Sequence, residues 1–223
     1  MVTQFPLDYM HLVLLGVMKK LLQFWINGKR NVRMVATQIT LASTSLLSMS
    51  LFLPKEFARK PRKLDEVDRF KATELRQLLL YTGPIIVLKK LSRDKYVHFL
   101  SLSIAIRILC NKEYCVQLLD YAHSLLLYFT GRAHWLGFPL WQIVRPSVSI
   151  SGFPGRPREV RHNGRQYISY NVHNLIHLCS YVKLWGELDK FSAFKFENYM
   201  QKIKSSIIEP IFESAIRTIS QSL

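Results

Sequence analysis

Asp8 and His11 are the first residues whose types and spacing could support chemistry. They stand three positions apart at the start of an apolar helical segment, so their side chains share one face of the helix. A carboxylate at that position is a natural N-cap for the first backbone N–H groups, and the residues alone favour this structural role. The functional alternative is that Asp8 binds a divalent metal ion while His11 steadies the ion or a phosphate group.

Glu197 is the second candidate, in a segment with helical periodicity near the end of the chain. It lies beside the apolar stripe of that helix, and a carboxylate at such a boundary can lean into a cleft, as a metal ligand must. A solvated glutamate paired with Gln201 or another neighbour is the simpler reading, and the residues alone favour it. The stripe consists of Phe196, Tyr199, Met200, Ile203 and Ile207.

His173 and His177 have the i, i+4 spacing that places two imidazoles on one helix face, as in zinc sites. The zinc-protease pattern requires Glu after the first His, and Asn174 stands there instead. Cys179 has poor spacing for a third ligand. The residues therefore favour structural histidines, with zinc as the alternative. The sequence contains no glycine-rich phosphate loop, no Gly-x-Ser-x-Gly turn and no Cys/His nucleophile pattern.

The chain is strongly basic, with 31 Lys and Arg against 15 Asp and Glu and a net charge of +16. This balance favours a polyanionic partner, and nucleic acid ahead of an acidic membrane surface. Two basic clusters could contact a DNA backbone, and the first also resembles a nuclear localisation signal. For each cluster the alternative is a solvated loop. The clusters are Lys55, Arg59, Lys60, Arg62 and Lys63, and then Arg156, Arg158, Arg161 and Arg165.

Three cysteines, an odd number without metal-site spacing, fit buried thiols in a reducing compartment. The N-terminal residues lack the features of a signal peptide. Residues 35–54 carry no charge over about the length of a membrane span. Several Thr and Ser residues dilute this stretch, so a buried helix is the preferred interpretation, and a membrane-associated protein is a third reading.

Hydrophobic periodicity predicts a mainly α protein, a helical bundle with a Pro/Arg-rich loop insertion. Helices are expected from Asp8 to a stop at Asn27 and Gly28 and then over 33–49. A third helix is expected from a cap at Asp65 or Asp68 to a stop at Gly83-Pro84. Further helices are expected over 96–109 and 114–129, from 171 to a break at Gly186, and from 192 to about 208. Three regions follow: helices in 1–130, an irregular basic insertion in 131–166 with a short strand at 147–150, and C-terminal helices in 167–223.

Five stretches, in this order, resemble the CACTA (En/Spm-type) superfamily of DNA transposases and transposase-derived proteins. They cover well over half of the chain. They read DYMHLVLLGVMKKLLQFW, LPKEFARKPRKL, FKATELRQLLLYTGPIIVL, SYNVHNLIHL and GELDKFSAFKFENYMQKIK.

The resemblance implies an RNase H-like core in which three acidic residues hold two Mg²⁺ or Mn²⁺ ions for DNA cleavage and strand transfer. Asp8 and His11 match the family's Asp-x-x-His signature at the second acid, and Glu197, in Phe-Glu-Asn-Tyr, matches the third. Asp8 and Glu197 would then be metal ligands and the helices between them an insertion that splits the core. The resemblance also implies a nuclear location, DNA as partner and homo-oligomeric assemblies.

The chain departs from the family at two places. The first acid belongs on an upstream strand, but the sequence starts seven residues before Asp8. The segment from Gly131 to Arg165 is richer in Arg and Pro than the family leads us to expect. We therefore expect a truncated or domesticated transposase fragment, a remnant of the split core that is inactive alone. The alternative is a non-catalytic basic helical module that binds nucleic acid or an acidic protein.

Overall fold

The computed structural model describes residues 5–54, 57, 59–132, 170–200 and 202. The described residues form helices and connecting turns, and none of them lies in a β-strand. The mainly helical fold is therefore confirmed. The basic segment 133–169, the strand expected at 147–150 and the end of the last helix lie outside the described residues. Helix α1 contains a π-helical stretch, Met10–Met18, that continues as regular α-helix over Lys19–Asn27.

Helix α2 spans Ala36–Ser48 and ends in a 3₁₀ turn, Met49–Leu51. A second 3₁₀ segment, Leu64–Arg69, leads into α3, which runs through Ala72–Gln77, a π-helical stretch Leu78–Thr82 and a last turn Gly83–Ile86. Then follow α4 (Arg93–Cys110), a short α5 (Tyr114–Gln117) and α6 (Leu119–Arg132). Helix α7 comprises Tyr170–Asn174, a 3₁₀ turn Leu175–His177 and Leu178–Trp185, and a 3₁₀ segment Leu188–Phe191 precedes α8, residues 194–200.

One hydrophobic core joins these helices, with α4 and α6 as its most extensive helix pair. Trp25 of α1 and Phe99 of α4 are almost fully buried and meet edge to face, with 5.4 Å between ring centroids. Such aromatic pairs add about 1 kcal/mol beyond the area they bury. The N-terminal half of α1 packs against α3 and α7, so residues distant in sequence position the start of α1.

The stops expected at Gly28 and Gly186 are both present. Gly28 ends α1 in extended backbone, and the Trp25 carbonyl accepts the Met34 N–H at 2.7 Å. Gly186 ends α7 with φ of 88°, a backbone region that favours glycine because it has no Cβ.

The stop expected at Gly83-Pro84 is wrong, because α3 continues through both residues to Ile86. Pro84 lacks an N–H, and the preceding π-helical stretch shifts the Gly83 N–H to the Leu78 carbonyl. Side chains of α4 satisfy two carbonyls in this region. The Ser103 hydroxyl donates to Leu79 O at 2.6 Å and the Arg107 guanidinium to Leu80 O. Likewise, the caps expected at Asp65 or Asp68 are wrong, since Lys71 and Glu74 form the start of α3.

No helix among the described residues is long and apolar enough to cross a membrane. Residues 35–54, the stretch that prompted the question, contain the 13-residue α2 and its 3₁₀ turn.

Candidate functional site

The Asp8 carboxylate caps two helices at once. Its Oδ1 accepts the backbone N–H of Met10 at 3.3 Å and that of Ala193, just before α8, at 2.9 Å. Its Oδ2 accepts the backbone N–H of His11 at 3.1 Å and lies 2.5 Å from His11 Nδ1. The N-cap role favoured by the residues is therefore confirmed. The bond to Ala193 also ties the start of α1 to the start of α8.

His11 lies between the two candidate carboxylates. Because a carboxylate only accepts hydrogen bonds, the short contact to Asp8 assigns a proton to Nδ1 and directs Nε2 the other way. Nε2 faces Glu197, with 3.8 Å between Nε2 and Oε1. The side chains of His11 and Glu197 are both 60% exposed, so solvent and solutes reach the gap between them. The fold thus brings Glu197 beside His11 although most of the sequence lies between them.

The distance between His11 and Glu197 can be compared with the spacing of two ligands on one divalent cation. Two ligands of one octahedral ion, each about 2.1 Å from it, lie roughly 3 Å apart when adjacent and about 4.2 Å apart when opposite. The observed 3.8 Å lies between these two values, so the two side chains must shift slightly before both can bind one octahedral ion. A carboxylate that accepts the other imidazole proton, as Asp8 does, is the usual partner of a metal-binding histidine.

The resemblance implies that Asp8 is a metal ligand, and in the structure its carboxylate accepts hydrogen bonds from N–H groups. A carboxylate has about four lone-pair sites, and four N–H contacts occupy those of Asp8. In this arrangement Asp8 caps the two helices and orients His11. Within the described parts of the chain, no group of three or more His, Cys, Asp or Glu side chains is placed to hold a metal ion.

A hydrogen-bonded triad beneath the site was not predicted from the sequence. The Tyr9 hydroxyl donates to Asp189 Oδ1 at 2.9 Å and accepts from Arg76 Nε at 2.7 Å, while Arg76 Nη2 donates to Asp189 Oδ2 at 2.6 Å. Burial raises the pKa of Tyr9 above its usual value, so its phenol stays a neutral donor. Tyr9 also meets Phe194 edge to face, at 6.0 Å between centroids. The triad therefore holds together α1, α3 and the 3₁₀ segment Leu188–Phe191 that precedes α8.

The nearby Cys110 thiol is free, as are Cys115 and Cys179. Burial, followed by the charge of Asp189, raises the pKa of Cys110 to about 12. A thiol with that pKa is protonated near neutral pH and is a poor nucleophile.

The described residues of the apolar stripe on α8 are exposed to solvent. The exposed fractions of Phe196, Tyr199 and Met200 are 71%, 64% and 52%. Helix α8 is held by its first turn, where the Ser192 hydroxyl and the Asp8 carboxylate accept N–H groups. Ile203 and Ile207 lie outside the described residues.

His173 and His177 lie close together, with 5.5 Å between centroids and the rings edge to face. Burial lowers the pKa of His177, and the charges of His173 and of His123, from α6, lower it further. The two histidines predicted to share a helix face are thus neighbours beside a third. The backbone between them is partly 3₁₀.

The first basic cluster is divided in its roles. Arg59, Lys60 and Lys63 are exposed, and Lys55 lies outside the described residues. Arg62 is half-buried, and its Nε donates to the buried Glu74 at 2.6 Å, with Glu66 a further 3.8 Å neighbour of its Nη1. Arg62 is therefore engaged within the fold. The second cluster, Arg156, Arg158, Arg161 and Arg165, lies outside the described residues.

Replacement of Glu74 by alanine should lower the free energy of unfolding by about 2 kcal/mol. It leaves the half-buried Arg62 without its close partner and also removes the acceptor of the Lys71 N–H at 2.9 Å. Solvent around Arg62 keeps the effect below that of a fully buried pair. Urea denaturation of Glu74→Ala and of the control Glu66→Ala measures it. The control should change stability by less than about 0.5 kcal/mol, and equal effects would contradict the pairing.

No protein family, curated protein or solved structure matches this chain.

Proposed function

We propose that the chain is a transposase-derived, DNA-binding helical module of the nucleus that keeps part of a metal-dependent phosphoryl-transfer site. One observation carries the proposal. Asp8, His11 and Glu197, the residues that resemble a CACTA transposase signature, meet at one exposed site although His11 and Glu197 are 186 positions apart in the sequence. A shared site requires such a convergence of residues that are remote in sequence.

Each residue has a distinct role at the proposed site. Glu197 and His11 hold one Mg²⁺ or Mn²⁺ ion, and Asp8 fixes the tautomer and direction of His11. When bound, such ions activate an attacking oxygen and stabilise the leaving oxygen of a phosphodiester. The site is open to solvent, which leaves room for DNA and for water ligands.

The described residues supply this site with too few carboxylates for two-metal chemistry. The lone pairs of Asp8 already accept hydrogen bonds from N–H groups, so Glu197 supplies the one carboxylate left for a metal ion. Hard cations such as Mg²⁺ prefer several oxygen ligands, so the affinity for a single ion is low. We therefore propose that the chain binds DNA but does not cleave it alone.

Mn²⁺ binding tests the site directly, by the loss of the free-ion signal in electron paramagnetic resonance. We expect weak binding by the whole chain and a loss of at least about tenfold in affinity for His11→Ala and Glu197→Ala. Glu113→Ala removes an exposed acid from the turn before α5 and should leave the affinity unchanged. Equal affinity in all four proteins would overturn the metal site.

Incubation with labelled DNA and Mn²⁺ tests the second half of the proposal. We expect no strand cleavage or joining. Robust cleavage that Glu197→Ala abolishes would contradict the incompleteness of the site.

The complete engagement of Asp8 favours a second candidate, a non-catalytic basic module that binds nucleic acid or an acidic protein. In that case Asp8 serves only as a cap. The same Mn²⁺ titration separates the two candidates, because the second predicts no Mn²⁺ binding that depends on Glu197.

A further inference from the structure

Two loops that are remote in sequence form one basic surface, which we call the two-loop patch. Its two segments, residues 28–34 after α1 and residues 88–96 from the end of α3 into the first turn of α4, contain seven Lys and Arg residues and one acid, Asp94. The Lys95 ammonium joins them, donating to the carbonyls of Asn31 and Val32 at 2.9 Å each. The six remaining cations are Lys29, Arg30, Arg33, Lys89, Lys90 and Arg93.

Buried anchors fix both loops. Val32 and Met34 are buried in the first, while the Val32 and Arg33 N–H groups donate to the Lys29 carbonyl at 2.8 and 2.9 Å. Val87 and Leu91 are buried on either side of Lys89 and Lys90. The cationic side chains between these anchors therefore project from a fixed backbone, which lowers the entropy lost when they bind a ligand.

The six cations carry no ion pair within the described part of the chain. Five of them are exposed and Lys90 is half-buried. Elsewhere, Arg62 and Arg76 are neutralised by carboxylates at 2.6 Å. The patch thus concentrates positive charge that the fold leaves uncompensated, which favours an anionic partner.

Lys89 adds a second unusual feature, because its φ of 60° lies in the left-handed region. A side chain there costs about 1 kcal/mol or more relative to glycine. The position therefore keeps a positive charge at an energetic cost, as residues in binding sites often do.

We propose that the two-loop patch binds the phosphate backbone of duplex DNA. Arginine guanidinium groups on a fixed scaffold bind phosphate through paired N–H donors, and several cations together suit the regular phosphates of a duplex. The inference rests on the proposed function for the identity of its partner. It adds a surface that is separate from the basic connector and from the site at His11 and Glu197.

The position of the patch sets its distance from that site. Asp8 precedes α1 and the patch follows it, and the 18 residues of α1 span at most roughly 27 Å. At about 3.4 Å per base pair, this length matches about eight base pairs.

Salt-dependent binding of the whole chain to a fluorescent DNA duplex tests the proposal. The variant Arg30→Ala/Arg93→Ala removes one cation from each loop and should reduce the slope of log K against log salt by about 1.8, at about 0.9 per phosphate contact. The control Lys112→Ala/Lys183→Ala removes two exposed lysines from other elements and should keep the wild-type slope. Thermal melts of both variants report whether they fold.

Lys89→Gly provides a test that misfolding does not confuse. It relieves the left-handed backbone, so its melting temperature should stay equal or rise, while the slope falls by about 0.9. Equal slopes in the patch variants, the control and the wild type would overturn the patch. Preference for anionic lipid vesicles over the duplex, or no duplex binding at all, would overturn it too. The Mn²⁺ titration needs no DNA, so the site at His11 and Glu197 is judged separately.

Discussion

Tyr9→Ala is expected to lower the free energy of unfolding by about 4 kcal/mol, the usual cost of deleting a fully buried aromatic side chain. Tyr9 is completely buried, meets Phe194 edge to face and shares hydrogen bonds with Arg76 and Asp189. Its loss also frees the approach to α8, so Mn²⁺ binding that depends on Glu197 should disappear. Urea denaturation and the Mn²⁺ titration measure the two effects.

Tyr9→Phe is the matched control because it keeps the ring and removes only the hydroxyl. Arg76 still bonds to Asp189 at 2.6 Å, so the cost should be about 1 kcal/mol and Mn²⁺ affinity should persist. A Tyr9→Ala protein as stable as Tyr9→Phe would show that the ring does not hold the helices together.

Trp25→Ala is expected to have an effect of similar size, about 4 kcal/mol, through the centre of the core. Trp25 is almost fully buried, and its loss removes the edge-to-face partner of Phe99 between α1 and α4. Urea denaturation should show a lower midpoint with an unchanged dependence on denaturant, because the extent of the fold stays the same.

Trp25→Phe should cost much less, about 1 kcal/mol, for a specific reason. The buried Trp25 Nε1 has no hydrogen-bond partner among the described residues, so phenylalanine removes an unsatisfied donor as well as some ring volume. If Trp25→Phe destabilises as much as Trp25→Ala, the indole N–H has a partner after all.

The two prominent surfaces of the molecule lie at opposite ends of α1. At its start, Asp8 joins the first turns of α1 and α8 and directs His11 towards Glu197. At its end, buried Val32 and Met34 hold the basic loop that meets the N-terminal end of α4. The helix between the two surfaces fixes their separation.

Local signals predicted much of the helical framework. Apolar periodicity from Leu12 to Trp25 predicted α1, and Gly28 and Gly186 predicted two helix ends. The same reasoning failed at Gly83-Pro84, because Ser103 and Arg107 of α4 satisfy carbonyls in the π-helical stretch of α3. The apolar stripe of α8 has the period of a core helix, but its described residues face solvent.

By itself, the sequence determined the helical class, the basic character and the candidate residues Asp8, His11 and Glu197, because periodicity, charge and residue type are local properties. Only the tertiary structure decided that these three residues meet, that Asp8 orients His11, and that Arg76 and Asp189 hold Tyr9 beneath them. The sequence did not predict the two-loop patch either, since Lys95 is 64 residues from Asn31. Such pairings depend on how buried helices pack, and neither partner's neighbours in sequence encode the identity of the other.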